Sequence, residues 1–209
     1  VLGLFAYCIW GMFPLYFKTL DGIPSQEVIV HRVLWSALFS AGLLLIWQHK
    51  NWWQELYSHP KRFLVLAASG ALIASNWLIY VWSVHNDRMV EASLGYYINP
   101  LVNVLLAMLF LRERLRRLQW VAIALAAIGV GLQVWSFGEV PWISLALACS
   151  FGFYGLIRKQ APVAALPGLT VETWMLVPVA LGWLWLNPQA MSMQSEFLGS
   201  GQMLWLAAA

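Results

Sequence analysis

The chain has 209 residues, 61% of them hydrophobic and 10% charged, with a mean hydropathy of +0.70, whereas a soluble domain carries roughly 25% charged residues. Twelve Lys and Arg plus nine Asp and Glu cannot wet a globule of this size, because large exposed apolar patches are rarely tolerated in water; a soluble fold is excluded and lipid is the solvent. The net charge of +3 forms no basic face of the kind nucleic acid requires, since the basic residues stand in short clusters between apolar runs.

A bilayer core of about 30 Å asks for about 20 mostly apolar residues per helix, and helices close their own backbone hydrogen bonds at that depth. The expected fold is therefore all-α and polytopic. Residues 1–17 form the first span, in which Tyr7, Trp10 and Pro14 share a face, either as an aromatic wall along a route or as ordinary packing. The second span, residues 25–47, holds Arg32 about 10 Å deep at 1.5 Å per residue, where an Arg costs about 2.5–3.5 kcal/mol on insertion scales. Intramembrane charges mark sites by default. Arg32 reads either as an anion-attracting or proton-linked group in a pathway, or as a side chain that snorkels to the headgroups or pins a helix interface. His31 precedes it, and Glu27 stands one turn above with the i, i+4 spacing of a pair; both are candidate coupling groups.

In the third span, residues 63–84, Ser69, Asn76, Tyr80 and Ser83 recur on one helical face. The fourth, residues 92–111, answers with Tyr96, Asn99 and Asn103 around Pro100, which lacks an N–H and frees a carbonyl. The two polar stripes are expected to meet near the midplane, where carriers place substrate; the competing reading is interhelical hydrogen bonding, worth about 0.6 kcal/mol on average. A fifth span, residues 118–137, is uncharged and reads as a packing helix. The sixth covers residues 140–157 and the seventh residues 169–186, the latter carrying Glu172 as a coupling carboxylate or as partner of Arg158 or Lys159. An eighth begins near Phe197 and is expected to continue past Ala209. Small residues four apart, Gly70 with Ala74 and Ala127 with Gly131, allow close helix packing and a homodimer.

Loop charge fixes an expected orientation. Lys50, Lys61, Arg62, Arg112, Arg114, Arg116, Arg117, Arg158 and Lys159 follow spans two, four and six, while the alternate loops hold only Lys18 and Arg88. By the positive-inside rule the N-terminus is cytoplasmic, with Asp21, Asp87, Glu91, Glu139 and Glu196 outside. Glu113, set among the arginines, reads as a loop ion pair. Trp47, Trp52, Trp53, Trp82, Trp120, Trp135 and Trp142 fall at span ends, where indole prefers the interface. Cys8 and Cys149 lie inside apolar runs and have no disulfide or metal-site spacing. No phosphate loop, zinc-protease pair or nucleophile elbow is present in the 209 residues, so no cofactor, metal or catalytic residue is assigned.

Residues 6–18 superpose on residues 147–159 with Cys8 on Cys149, Gly11 on Gly152, Leu15 on Leu156, Lys18 on Lys159, and Phe13 opposite Tyr154. The offset is five spans, an odd number that turns the second copy over in the membrane. An inverted repeat of five-helix halves follows, residues 1–138 as the first and residues 139–209 as part of the second, with the last three helices largely missing.

The stretch EASLGYYINPLVNVLLAMLFLRERLRRLQWVAIALAAIGVGLQVW, residues 91–135, resembles the signature of the EamA-type drug/metabolite transporters, with Pro100, Glu113-Arg114, Gln119 and the Gly129/Gly131 pair. The opening WGMFPLYFK at residues 10–18, HRVLWS at 31–36 and LTVET at 169–173 narrow the likeness to RarD-type permeases, the group labelled chloramphenicol-sensitive proteins. The resemblance covers essentially the whole chain, apart from the family's final helices. It implies a ten-helix carrier of the bacterial inner membrane with a central pathway between inverted halves, moving a small organic solute by alternating access; the polar and aromatic faces read above place Trp10, Arg32, Asn76, Tyr80, Tyr96, Asn99 and Asn103 as the expected lining of that route. Two rival readings stay open: a membrane enzyme using Arg32, His31 and Glu27 on a lipid-linked substrate, and a non-transporting remnant of a permease.

Overall fold

A computed structural model describes residues 2–20, 22–47, 60–161, 163–193 and 206. Within these, seven α-helices follow one another: α1 (Leu2–Lys18), α2 (Ser25–Trp47), α3 (Pro60–His85), α4 (Met89–Phe110), α5 (Arg117–Phe137), α6 (Trp142–Gln160) and α7 (Ala165–Leu186), then a 3-10 turn at Met191–Met193. The described residues contain no strand. The helices α2, α3, α4, α5 and α7 are long and apolar enough to cross a membrane; α1 has 17 residues and α6 ends on Arg158 and Lys159. The expected eighth span, with Trp52, Trp53 and the loop charges Asp21, Lys50 and Glu196, lies outside the described residues.

The exterior is what lipid demands. Leu45, Leu118, Trp135 and Trp185 are 80–87% exposed, an arrangement that only an apolar solvent tolerates over such an area. This is a polytopic, all-α membrane protein. Several helices run beyond the apolar stretches that mark them in the sequence. Helix α4 starts at Met89, where Arg88 Nε and Glu91 Oε1 pair at 2.5 Å, and α6 carries its basic residues in its last turn. Charged side chains at helix ends are compatible with the membrane because they reach the headgroup layer.

Side-chain contacts give the direction of each helix. Phe13 meets Trp77 and His85 Nε2 donates to the Phe17 carbonyl, so α1 runs parallel to α3. Arg32 lies over Trp77, and the Ser25 hydroxyl meets His85 at 3.2 Å, so α2 is antiparallel to α3. Helix α6 is also antiparallel to α3, with Asn76 against Ser150 and Trp82 against Trp142. Antiparallel pairing of α2 and α7 follows from Ser40 beside Thr173 at one end and Glu27 beside Ser192 at the other. Val130 and Val134 of α5 pack on Leu94 and Ile98 of α4. The seven helices thus alternate in direction, and α1 and α6, which match in sequence, point opposite ways.

Close approach explains the tightest contacts. A Cβ on Gly95 would lie 3.0 Å from the Ser144 carbonyl, and one on Gly152 2.8 Å from Val102, so α4 and α6 touch nearly backbone to backbone. Gly70 does the same between α3 and α7, as the small-residue spacing predicts, whereas Gly131 has nothing within 4 Å. Helix α5 ends on Gly138 at φ 75, a left-handed terminus that glycine adopts without steric cost. Gln119 Oε1 accepts the Arg116 amide at the start of the same helix. None of the α5 residues is buried, so it is a packing helix on one side only.

Candidate functional site

The expected intramembrane charge is found inside the bundle. The Arg32 guanidinium carbon sits 3.6 Å from the Trp77 ring centroid, so the side chain turns onto α3. Tyr16 and Tyr96 lie within its electrostatic reach. Trp77 belongs to a tilted and edge-on set of rings with Phe13, Phe17 and Tyr80, and Tyr80 meets Tyr96 edge-on at 6.1 Å. The result is a guanidinium in an aromatic setting built by α1, α2, α3 and α4. Trp77 was not among the residues singled out from sequence; its signal is the i, i+3 spacing to Tyr80, hidden by the many other tryptophans at span ends.

The polar stripes of α3 and α4 do not meet along their length. Tyr80 and Tyr96 touch, but α6 separates the rest. Asn76 is buried and donates to the Leu147 carbonyl and the Ser150 hydroxyl, each at 2.9 Å, which spends its amide hydrogens on the α3–α6 junction. Ser83 bonds its own helix. Asn103 stands beside Gly152 of α6 and is exposed, whereas Asn99 has a buried Oδ1 with no hydrogen-bond partner. Helix α4 continues through Pro100, so the expected interruption is local: the missing N–H relieves the Tyr96 carbonyl of its intrahelical donor. Pro14 does the same for Trp10, which is half exposed on α1.

Glu27 and His31 differ in their hydrogen-bond partners, although Glu27 lies within electrostatic reach of His31. Glu27 is 1% exposed, and its carboxylate accepts the backbone amides of Met191 and Ser192, which clamps the turn after α7 onto the start of α2. His31 is buried, and its Nε2 has no hydrogen-bond partner; it lines an apolar groove with Trp35, Leu38, Trp174 and Val177. Arg32, next in sequence, faces Trp77.

A second charged cluster lies at the other end of α3. Glu172 is 1% exposed, its Oε1 accepts the Ser69 hydroxyl at 2.6 Å, and Arg158 Nε stands 3.5 Å from the same oxygen. Lys159 instead pairs with Glu113 at 2.6 Å. Of the two partners expected for Glu172, the one used is Arg158. At the end near Arg32, Lys18 pairs with Asp87 at 2.9 Å with both groups exposed, an arrangement worth about 0–1 kcal/mol. Among the described residues no three His, Cys, Asp or Glu side chains gather to hold a metal ion.

Alternating apolar helices, a partly buried guanidinium stacked on an indole and a buried carboxylate at the opposite end are the frame of a polytopic membrane protein. The EamA-like transporter family matches residues 1–135, and the chain belongs to that family. It is 63% identical over 209 residues to an uncharacterized transporter of Pseudomonas aeruginosa, covering all of this chain and 70% of that protein. To protein RarD of Escherichia coli it is 49% identical over 180 residues, 86% of this chain and 61% of the other. Chloramphenicol-sensitive protein RarD of Pseudomonas aeruginosa is 31% identical over 213 residues, 99% of this chain and 69% of that protein. The chain therefore spans 61–70% of the length of these relatives. No solved structure matches it.

Proposed function

We propose that the protein is a secondary transporter of the bacterial inner membrane, N-terminus in the cytoplasm, which moves a small organic solute by alternating access between two inverted halves. The observation that carries this reading is the guanidinium of Arg32 held 3.6 Å over Trp77 inside the helices. Placing an Arg at depth costs about 2.5–3.5 kcal/mol, and an indole face returns about 0.5–2 kcal/mol, so a charge kept there fits a role in solute handling. Tyr80, Tyr96 and the Asn99 carbonyl oxygen without a partner supply amphipathic and hydrogen-bonding surface beside it. Asn103 and Trp10 extend that surface along α4 and α1, and Asn76 positions α6 behind it. Transport needs differential binding and a two-state rearrangement, with no bond made or broken. The opposed directions of α1 and α6 support the inverted halves.

The enzymatic alternative needs Glu27, His31 and Arg32 to act together. Glu27 is engaged with the 191–192 amides and Arg32 with Trp77, which favours transport. The test begins with a panel of small organic solutes screened for thermal stabilisation of the purified protein, followed by uptake of the stabilising compounds into vesicles. Arg32→Ala and Asn99→Ala are each expected to reduce flux or apparent affinity about tenfold, equivalent to about 1.4 kcal/mol. Normal flux and affinity in both would remove these residues from the pathway.

A further inference from the structure

We infer that Glu172 is a proton-binding site that couples the transport cycle to a proton gradient, with Arg158 as its built-in counter-ion; the coupling rests on the transport reading above, the proton site on geometry alone. Glu172 Oε1 takes both contacts, from Ser69 at 2.6 Å and from Arg158 Nε at 3.5 Å. Its Oε2 and Arg158 Nη1 are both buried and without a hydrogen-bond partner. Arg–carboxylate pairs frequently close with two parallel bonds, and breaking a buried pair is costly when both charges stay inside. A pair held through one oxygen leaves the other as the place where a proton adds.

One proton on Oε2 gives a neutral acid that still accepts from Ser69 at Oε1. No other bond is made or broken. The guanidinium then loses its counter-charge, and the Arg158 side chain, 17% exposed against 2% for Glu172, has a way out to solvent. Among the described residues, few groups face the carboxyl. Helix α3 contributes Ser69, with Arg62 two turns nearer its start. From α6 come Arg158 and Tyr154, which faces the guanidinium, while Lys159 is turned to Glu113; on the α2 side the neighbouring contact is Ser40 with Thr173.

Three helices meet at this residue with little slack. A Cβ on Gly168 would collide with the Arg158 guanidinium, and one on Gly70 would lie 3.1 Å from the Glu172 carbonyl, so α3, α6 and α7 are drawn together where the charge sits. Neutralising it loosens that junction. Helix α3 carries Ser69 at this cluster and Trp77 under Arg32 at the other, which gives one rigid element in contact with both.

The experiment needs no solute. The protein is reconstituted in phosphatidylcholine–phosphatidylglycerol vesicles, and its infrared spectrum is recorded from about pH 8 to about pH 5, spanning the range between an ordinary and a raised carboxyl. The carbonyl band of a buried protonated carboxylic acid should grow as pH falls, be absent from Glu172→Gln, and persist to higher pH in Arg158→Met. In parallel, disulfide cross-linking of the Leu66→Cys, Val171→Cys pair in a Cys8→Ser, Cys149→Ser background reports the α3–α7 contact. Disulfide formation slows with falling pH by itself, because the thiolate is the reacting form, so the rate is taken relative to the same cysteine pair in Glu172→Gln at each pH; this ratio should fall severalfold on acidification. A spectrum with no titrating band, a band that survives Glu172→Gln, or a cross-linking ratio that ignores pH would overturn the proposal and leave the pair a static lock. The infrared titration with Glu172 present, compared with that of Arg158→Met, decides this even if Glu172→Gln does not fold, and failure to find a solute leaves it untouched.

Discussion

Two glycines show what a residue's neighbours decide. Gly95 faces the Ser144 backbone carbonyl, 3.0 Å from where a Cβ would stand, and Gly131 faces nothing within 4 Å. Gly95→Ala must push two helices apart, and overpacking of this kind costs about 1–3 kcal/mol. Gly131→Ala meets no such obstacle and gains helix propensity of up to about 1 kcal/mol. Thermal unfolding in detergent should therefore show a lower midpoint for the first and an equal or higher one for the second. In sequence the two positions look alike, both being glycines in apolar helices, because what stands opposite is set by a helix some fifty residues away or by none. The same holds for Asn76: its polar face is readable from spacing, but its partners, Leu147 and Ser150, belong to a helix that no local pattern designates.

At the scale of elements, the spans are legible because length and apolar continuity are properties of the chain itself. Helix ends are less so. Charges such as Glu91, Arg158 and Lys159 look like loop residues in a hydropathy scan yet are helical here, since their long stems reach the interface. Which helix touches which is not encoded locally, and this is why the α3 and α4 stripes, expected to face one another, meet only where Tyr80 touches Tyr96 and are otherwise separated by α6. Glu27 is the clearest case of contacts hidden in sequence: a candidate coupling carboxylate by its spacing to His31, it also holds the turn after α7 by accepting two backbone amides. Removing this acceptor leaves the buried Ser192 amide unmet, at about 1–3 kcal/mol. Glu27→Ala should accelerate hydrogen exchange at Met191 and Ser192 while leaving α3 and α6 protected. Unchanged exchange there would mean that other contacts hold the turn.

For the whole molecule, helix direction is decisive. Lys18 and Lys159 occupy matching positions in the repeat, and they end helices that run opposite ways beside α3, one paired with Asp87 and the other with Glu113. The charge bias of the loops was readable from sequence and predicts which membrane face each pair occupies; the alternation of the seven helices gives that prediction a physical frame. An ordinary duplication would put both lysines on one side, and alternating access by two like halves would lose its basis. The most direct measurement is cysteine labelling in intact cells with a membrane-impermeant maleimide, using Lys18→Cys and Lys159→Cys separately in a Cys8→Ser, Cys149→Ser background. Position 18 should label from outside and position 159 only after permeabilisation; labelling of both from the same side would contradict the inverted arrangement.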